Sequence, residues 1–125
     1  MKEYSKYRFT EYRTYYREIC DTFELELLGD FLRTEVGSGF EEFIEWVNDS
    51  NFDGFCGNLV FCDKTEQSIV IYFDPFVVED PNKKLTVSKK TFIGIMQDWG
   101  RLYKEKPKEI IITRDGDIVT LEGKN

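Results

Sequence analysis

The sequence predicts an α+β fold in which N-terminal helices precede an antiparallel sheet of two hairpins and a short strand, with one inserted helix. Two observations predict it. Apolar residues in the first third recur at helical spacing, whereas later apolar runs are short, β-branched and bounded by turn residues. At 125 residues, the chain is expected to form a single globular domain over residues 1–125.

The first third has the spacing of an amphipathic helix. Apolar side chains recur at steps of three and four, at Phe9, Tyr12, Tyr16, Ile19, Phe23 and Leu27. At these steps they share one helix face. The pattern continues to Val36 but is interrupted by Gly29, so we expect a break in the helix there. Tyr4, Tyr7 and Tyr15 lie off this face and are expected to be exposed.

A second, shorter helix is predicted over residues 40–47. The Ser38-x-x-Glu41 pattern before it matches a capping box, in which each side chain caps the backbone of the other residue. The residues that follow, 48–54, are rich in Asn, Asp and Ser, which favour turns.

The second half predicts the sheet. Residues 59–62 and 69–73 are β-branched and aromatic and form a predicted hairpin, with Phe61, Ile69 and Ile71 on one face. Because both faces are apolar, these strands are expected to be central. Residues 85–87 form a short strand before a helix capped by Ser88. A second hairpin, 109–113 with 117–121, is predicted to turn at Asp115-Gly116 in a type I′ conformation.

Charge is the most informative feature of the chain. Residues 18–80 contain sixteen acidic and two basic residues, a net charge of −14, whereas the rest of the chain carries +7. Folding does not require this asymmetry, which adds self-repulsion. A strongly acidic face suits a basic partner, because attraction between opposite charges speeds association and selects the docking surface. The sequence therefore indicates a binding protein.

Composition excludes several other functions. The chain has no histidine, which removes Ser/His and Cys/His nucleophiles and the commonest zinc ligand. A pI near 4.7 argues against binding to nucleic acid or an anionic membrane. No phosphate-binding loop or calcium loop is present, so no cofactor or metal is expected. Three cysteines do not make a disulfide framework, and no apolar signal or membrane segment occurs, so we expect a cytoplasmic protein.

The candidate partner-binding residues lie in two predicted loops. Aromatic side chains between acids suit an apolar anchor ringed by negative charge. The candidates are Asp49, Phe52, Asp53, Asp74, Phe76, Glu79 and Asp80. The spacing of Glu41, Glu42 and Glu45 would also suit an acid/base group, but on a short amphipathic helix it favours a solvated face.

Three segments carry a resemblance to a known group of proteins: residues 39–48, the hairpin over 59–73, and Trp99-x-x-x-Tyr103 followed by 106–113. In layout the chain resembles the small immunity proteins of bacterial contact-dependent growth inhibition and related polymorphic toxin systems. The resemblance implies a non-enzymatic protein that neutralises a cognate toxin domain, commonly a nuclease, by covering its active site. It implies no particular binding residues.

Three other functions remain open from the sequence. An acidic nucleic-acid mimic of the anti-restriction type would bind a DNA-handling protein through carboxylates along an elongated face. An enzyme could use carboxylates alone, with an added metal. A structural subunit would need no site of its own. The oligomeric state is not predicted.

Overall fold

The computed structural model describes residues 2–49, 54–55, 59–73 and 84–125, with the backbone alone for 54–55. The elements are, in order, β1 (Lys2–Phe9), β2 (Tyr15–Cys20), α1 (Phe23–Asp30), a π-helical segment (Phe31–Val36), α2 (Phe40–Asn48), β3 (Gly54–Phe55), β4 (Val60–Lys64), β5 (Ser68–Phe73), β6 (Lys84–Ser88), α3 (Lys89–Glu105), β7 (Glu109–Asp115) and β8 (Ile118–Lys124).

The strands form two four-stranded sheets, and every described pairing is antiparallel. One sheet has the order β2-β1-β7-β8, so the two ends of the chain meet in it, with Ser5 opposite Ile112. The other has the order β3-β4-β5-β6. Buried residues of both sheets and all three α-helices make one hydrophobic cluster. None of the helices in the described part of the chain is both long and apolar enough to span a membrane.

The predicted order of elements is wrong, because strands come first and the helices lie mid-chain. Residues 2–20 form a hairpin instead of a helix. Of the expected apolar stripe, Tyr12 is 81% exposed and Tyr16 44% exposed. Tyr7, expected to be exposed, is 2% exposed. The segment is rich in Tyr and Thr, contains no Ala or Leu, and pairs along β7, so strand propensity and a long-range partner outweigh the helical spacing.

The expected break at Gly29 takes the form of a change in helix type, and the backbone stays helical through it. α1 ends at Asp30, and the chain continues directly into the π-helical segment. The close approach of the Tyr7 side chain explains why residue 29 is a glycine: a Cβ atom at Gly29 would lie 1.7 Å from the Tyr7 hydroxyl oxygen. α2 forms where it was predicted, but the capping box is wrong, because Gly39 is the N-cap residue and no side chain caps the helix.

Both predicted hairpins form, and β4 and β5 are central in their sheet. The predicted faces of the first hairpin are wrong: Cys62 lies opposite Ile71 and both are buried, which leaves Phe61 on the other face. In the second hairpin the loop residues are Gly116 and Asp117, with positive φ at the glycine alone, the pattern of a type II′ turn.

The helix after the short strand is confirmed. Ser88 is the N-cap residue of α3, and its hydroxyl accepts a hydrogen bond from the Thr91 N–H at 3.1 Å. The buried stripe of this helix includes Phe92, Met96 and Trp99, as its spacing predicts. α3 thus belongs to the core and contacts strands of both sheets, β8 in one and β5 and β6 in the other.

Candidate partner-binding site

Of the residues proposed from sequence, only Asp49 lies in the described part of the chain. It follows α2 directly and is exposed. The six others, Phe52, Asp53, Asp74, Phe76, Glu79 and Asp80, lie outside the described residues. Lys64 donates hydrogen bonds to the backbone carbonyls of Asp49 and of Trp46, the latter at 2.7 Å. A lysine at the carbonyl end of a helix satisfies acceptors that the helix itself leaves free.

The basic residues within the acidic stretch are engaged inside the fold. Besides its two carbonyl contacts, the Lys64 ammonium lies 5.4 Å from the centre of the Trp46 ring. The Arg33 guanidinium pairs with Asp30 and donates to the Tyr15 carbonyl at 2.7 Å. These are the only two basic residues among positions 18–80. Neither is therefore free to neutralise the exposed carboxylates of that stretch.

Several acids of the stretch are neutralised by cations from the first hairpin. Glu18 lies 3.4 Å from the Lys6 ammonium and 3.2 Å from the Arg8 guanidinium. Glu26 lies 3.2 Å from Arg17. Sequence counting placed these acids on one negative surface, but the hairpin brings basic residues from outside the stretch against them. Within the described residues, the region of the stretch whose carboxylates make no ion pair is therefore smaller than the sequence suggested.

That region includes the outer face of α2. Glu41, Glu42 and Glu45 are exposed, and none of the three makes an ion pair with the described residues. The opposite face of the same helix buries Phe43 and Trp46. We call these three glutamates the α2 carboxylates. A helix with acids on one side and rings on the other is amphipathic, and its acidic side is open to a partner.

A cavity of about 230 Å³ adjoins the α2 carboxylates. Its lining residues are Glu35, Gly39, Glu42, Phe43 and Trp46. The Phe43 and Trp46 rings meet edge to face, with centroids 6.2 Å apart. The Glu35 carboxylate accepts hydrogen bonds from the backbone N–H groups of the chain entering β4, at 3.0 and 3.3 Å, which holds it in place. We call this the acidic cavity.

The acidic cavity has the chemistry of a site for a cationic side chain. Carboxylates bind guanidinium and ammonium groups through charge-assisted hydrogen bonds, and aromatic rings attract the same cations. Sequence reasoning missed this cavity, because the cavity forms only where the π-helical segment lies against α2. One signal was available: Glu42 and Trp46 are four residues apart, which makes them neighbours on the helix surface, at the boundary between its acidic and its aromatic side.

The described residues hold no arrangement suited to metal binding: among them, no three His, Cys, Asp or Glu side chains are grouped to ligate an ion. Cys62 is buried and Cys20 half-buried, and Cys56 lies outside the described residues. Burial raises the pKa of the Cys20 thiol, whose S–H donates to the Thr22 carbonyl at 3.1 Å. Such a thiol is a weak nucleophile at neutral pH.

Comparison with known proteins adds no relative. No protein-family model, curated protein or solved structure matches this chain.

Proposed function

We propose that this chain is a non-enzymatic cytoplasmic immunity protein that neutralises a cationic toxin domain, a nuclease being the expected class. It would bind the toxin through the α2 carboxylates and the acidic cavity. The observation that supports this most strongly is the presence of three exposed glutamates, without ion pairs to the described residues, beside a cavity lined by carboxylates and aromatic rings. The nearby cation Lys64 is engaged by backbone carbonyls and cannot fill the cavity itself.

A nuclease provides matching chemistry. Its active site is rich in Lys and Arg because it binds phosphates, so an acidic surface can compete for the same cations. A Lys or Arg side chain of the toxin would enter the acidic cavity between Glu35 and Glu42 and lie against the Trp46 ring. The α2 carboxylates around it would speed the encounter by long-range attraction.

The nucleic-acid mimic is less well supported by the described residues. α2 has nine residues and is therefore about 14 Å long. Duplex DNA carries about eight phosphate charges over that length, since it has one per ~1.7 Å of axis. The helix offers three carboxylates. This charge density suits a few cations of one protein site better than it imitates a phosphate backbone.

The test is a calorimetric titration against the C-terminal toxin domain encoded by the reading frame immediately upstream. We expect nanomolar binding and loss of the domain's nuclease activity at one equivalent. Because charge steers the encounter, the association rate should fall about tenfold or more between 50 and 500 mM salt. No binding would contradict the proposal. Equal binding to several unrelated DNA-handling proteins, with competition by DNA, would favour the mimic instead.

A further inference from the structure

A second cavity, of about 360 Å³, has the opposite charge. It lies between the β1–β2 loop, the end of the π-helical segment and the C-terminal end of α3. Three of its lining residues are cations, Arg13, Arg33 and Lys106, and none is a carboxylate. We call it the basic cavity. It stands out in a chain whose net charge is −7.

The cations of the basic cavity are incompletely paired. Arg13 and Lys106 make no ion pair with the described residues. The Arg33 guanidinium is held by Asp30, yet its Nε–H is buried and lacks a hydrogen-bond partner among the described residues. Buried donors normally have acceptors. An anion in the cavity would not reach this buried atom, but it would supply a counter-charge for Arg13 and Lys106.

Two of these cations occupy backbone positions that favour glycine. Arg13 has φ of +62° and Lys106 has φ of +51°, both in the left-handed region. A side chain there costs about 1 kcal/mol relative to glycine. Lys106 also follows the last residue of α3, where glycine is the usual choice. Glycine could therefore replace either cation without straining the backbone.

Aromatic rings form the rest of the cavity wall. Trp99 and Tyr103 lie 6.3 Å apart by their centroids, and the Lys106 ammonium lies 4.8 Å from the Tyr103 ring centre. The polar atoms of two of the rings are used inside the fold. The Trp99 N–H donates to the Gly37 carbonyl at 2.8 Å, and the Tyr15 hydroxyl donates to a backbone carbonyl at 2.6 Å. Trp99 is buried, so the ring surface left for a ligand belongs to the half-buried Phe9, Tyr15 and Tyr103.

We infer that the basic cavity binds a small ligand that joins a phosphate to a flat ring, of the size of a nucleoside monophosphate. Arg13 and Lys106 recognise the phosphate through charge-assisted hydrogen bonds. The rings provide surfaces for stacking. The volume lies at the lower end of the range of about 300–1,000 Å³ for small-molecule sites. This site is separate from the acidic cavity: neighbouring Thr34 and Glu35 line different cavities.

The experiment is calorimetric titration of the full chain with AMP, adenosine, inorganic phosphate and an oligoglutamate peptide. We expect AMP to bind with a Kd below about 1 mM, and adenosine or phosphate alone to bind at least about tenfold more weakly, because each lacks one half of the recognised chemistry. Absence of AMP binding at 10 mM, or tighter binding of the peptide than of AMP, would overturn the inference.

Glycine variants separate the role of the charges from that of the fold. Lys106→Gly and Arg13→Gly should each weaken AMP binding about tenfold, the loss expected for one charged hydrogen bond. Because glycine suits positive φ, both variants should unfold at the same or a higher temperature than the wild type. Lys108→Ala, an exposed lysine outside the cavity, is the matched control and should bind AMP normally. Normal AMP binding by both glycine variants would overturn the assignment.

Discussion

Replacing Gly29 with alanine should destabilise the protein, although alanine is the better helix former. In α1, the change alone would favour the helix by about 1 kcal/mol. However, the added Cβ would lie 1.7 Å from the Tyr7 hydroxyl oxygen and 2.2 Å from Cζ of the same ring. An ordinary contact begins at 3.4 Å, so the buried ring must move by about 1.7 Å.

The magnitude follows from these contacts. Overpacking of this kind costs about 1–3 kcal/mol. Moving Tyr7 also breaks its 3.4 Å hydrogen bond to the Leu25 carbonyl, a further loss of about 1 kcal/mol. After the gain in helix propensity, Gly29→Ala should lower the free energy of unfolding by about 1–3 kcal/mol.

The assay is urea denaturation followed by circular dichroism. Gly94→Ala is the matched control, since Gly94 also lies within a helix but a Cβ there would meet no atom within 4 Å. This control should be stabilised by about 0.5–1 kcal/mol. In a Tyr7→Leu background, the cost of Gly29→Ala should fall below about 0.5 kcal/mol. If Gly29→Ala stabilises the wild type as Gly94→Ala does, the packing of β1 on α1 is wrong.

Two further predictions concern titratable groups. Burial acts to raise the pKa of Asp117, but hydrogen bonds from the Ser88 N–H and from the Ser88 and Thr91 hydroxyls lower it overall. Asp117→Ala removes these hydrogen bonds and, because the carboxylate is exposed and screened by water, should cost at most about 1 kcal/mol near pH 7. Because the pKa of Asp117 is lowered in the folded protein, the stability difference between wild type and variant should persist above pH ~4 and shrink as the pH falls further. A difference in urea denaturation that stays constant with pH would contradict the lowered pKa of Asp117. The Cys20 thiol, whose pKa is raised by burial, should react more slowly with iodoacetamide at pH 8 than a free cysteine does, and equal rates would contradict its buried placement.

Short-range sequence signals predicted those parts of the fold that depend only on residues close together in the chain. Ser88 before an apolar stripe identified the start of α3, and Gly29 marked the end of regular α-helix. The first hairpin could not be predicted in this way, because its strand β1 is stabilised by pairing with residues 109–115 at the other end of the chain. From helical spacing alone, Tyr12 is expected in the core. It is exposed instead, because it lies in the turn at residues 10–14.

The candidate site was predictable only as a charge imbalance. Sequence counting correctly identified an acidic stretch with two basic residues. It could not tell that Glu18 would be neutralised by Lys6 and Arg8 while Glu42 makes no ion pair with the described residues, because those pairings depend on which strands are neighbours. The acidic cavity likewise depends on contact between segments that have no shared sequence pattern.

The most direct test of the account compares two single substitutions in titrations against the upstream toxin domain. Glu42→Gln removes a carboxylate from the acidic cavity, whereas Glu122→Gln removes an exposed carboxylate on β8 and changes the net charge equally. The account predicts that Glu42→Gln raises Kd about tenfold or more and that Glu122→Gln leaves it nearly unchanged. Equal effects of the two substitutions would show that net charge alone matters, and would contradict a binding site at α2.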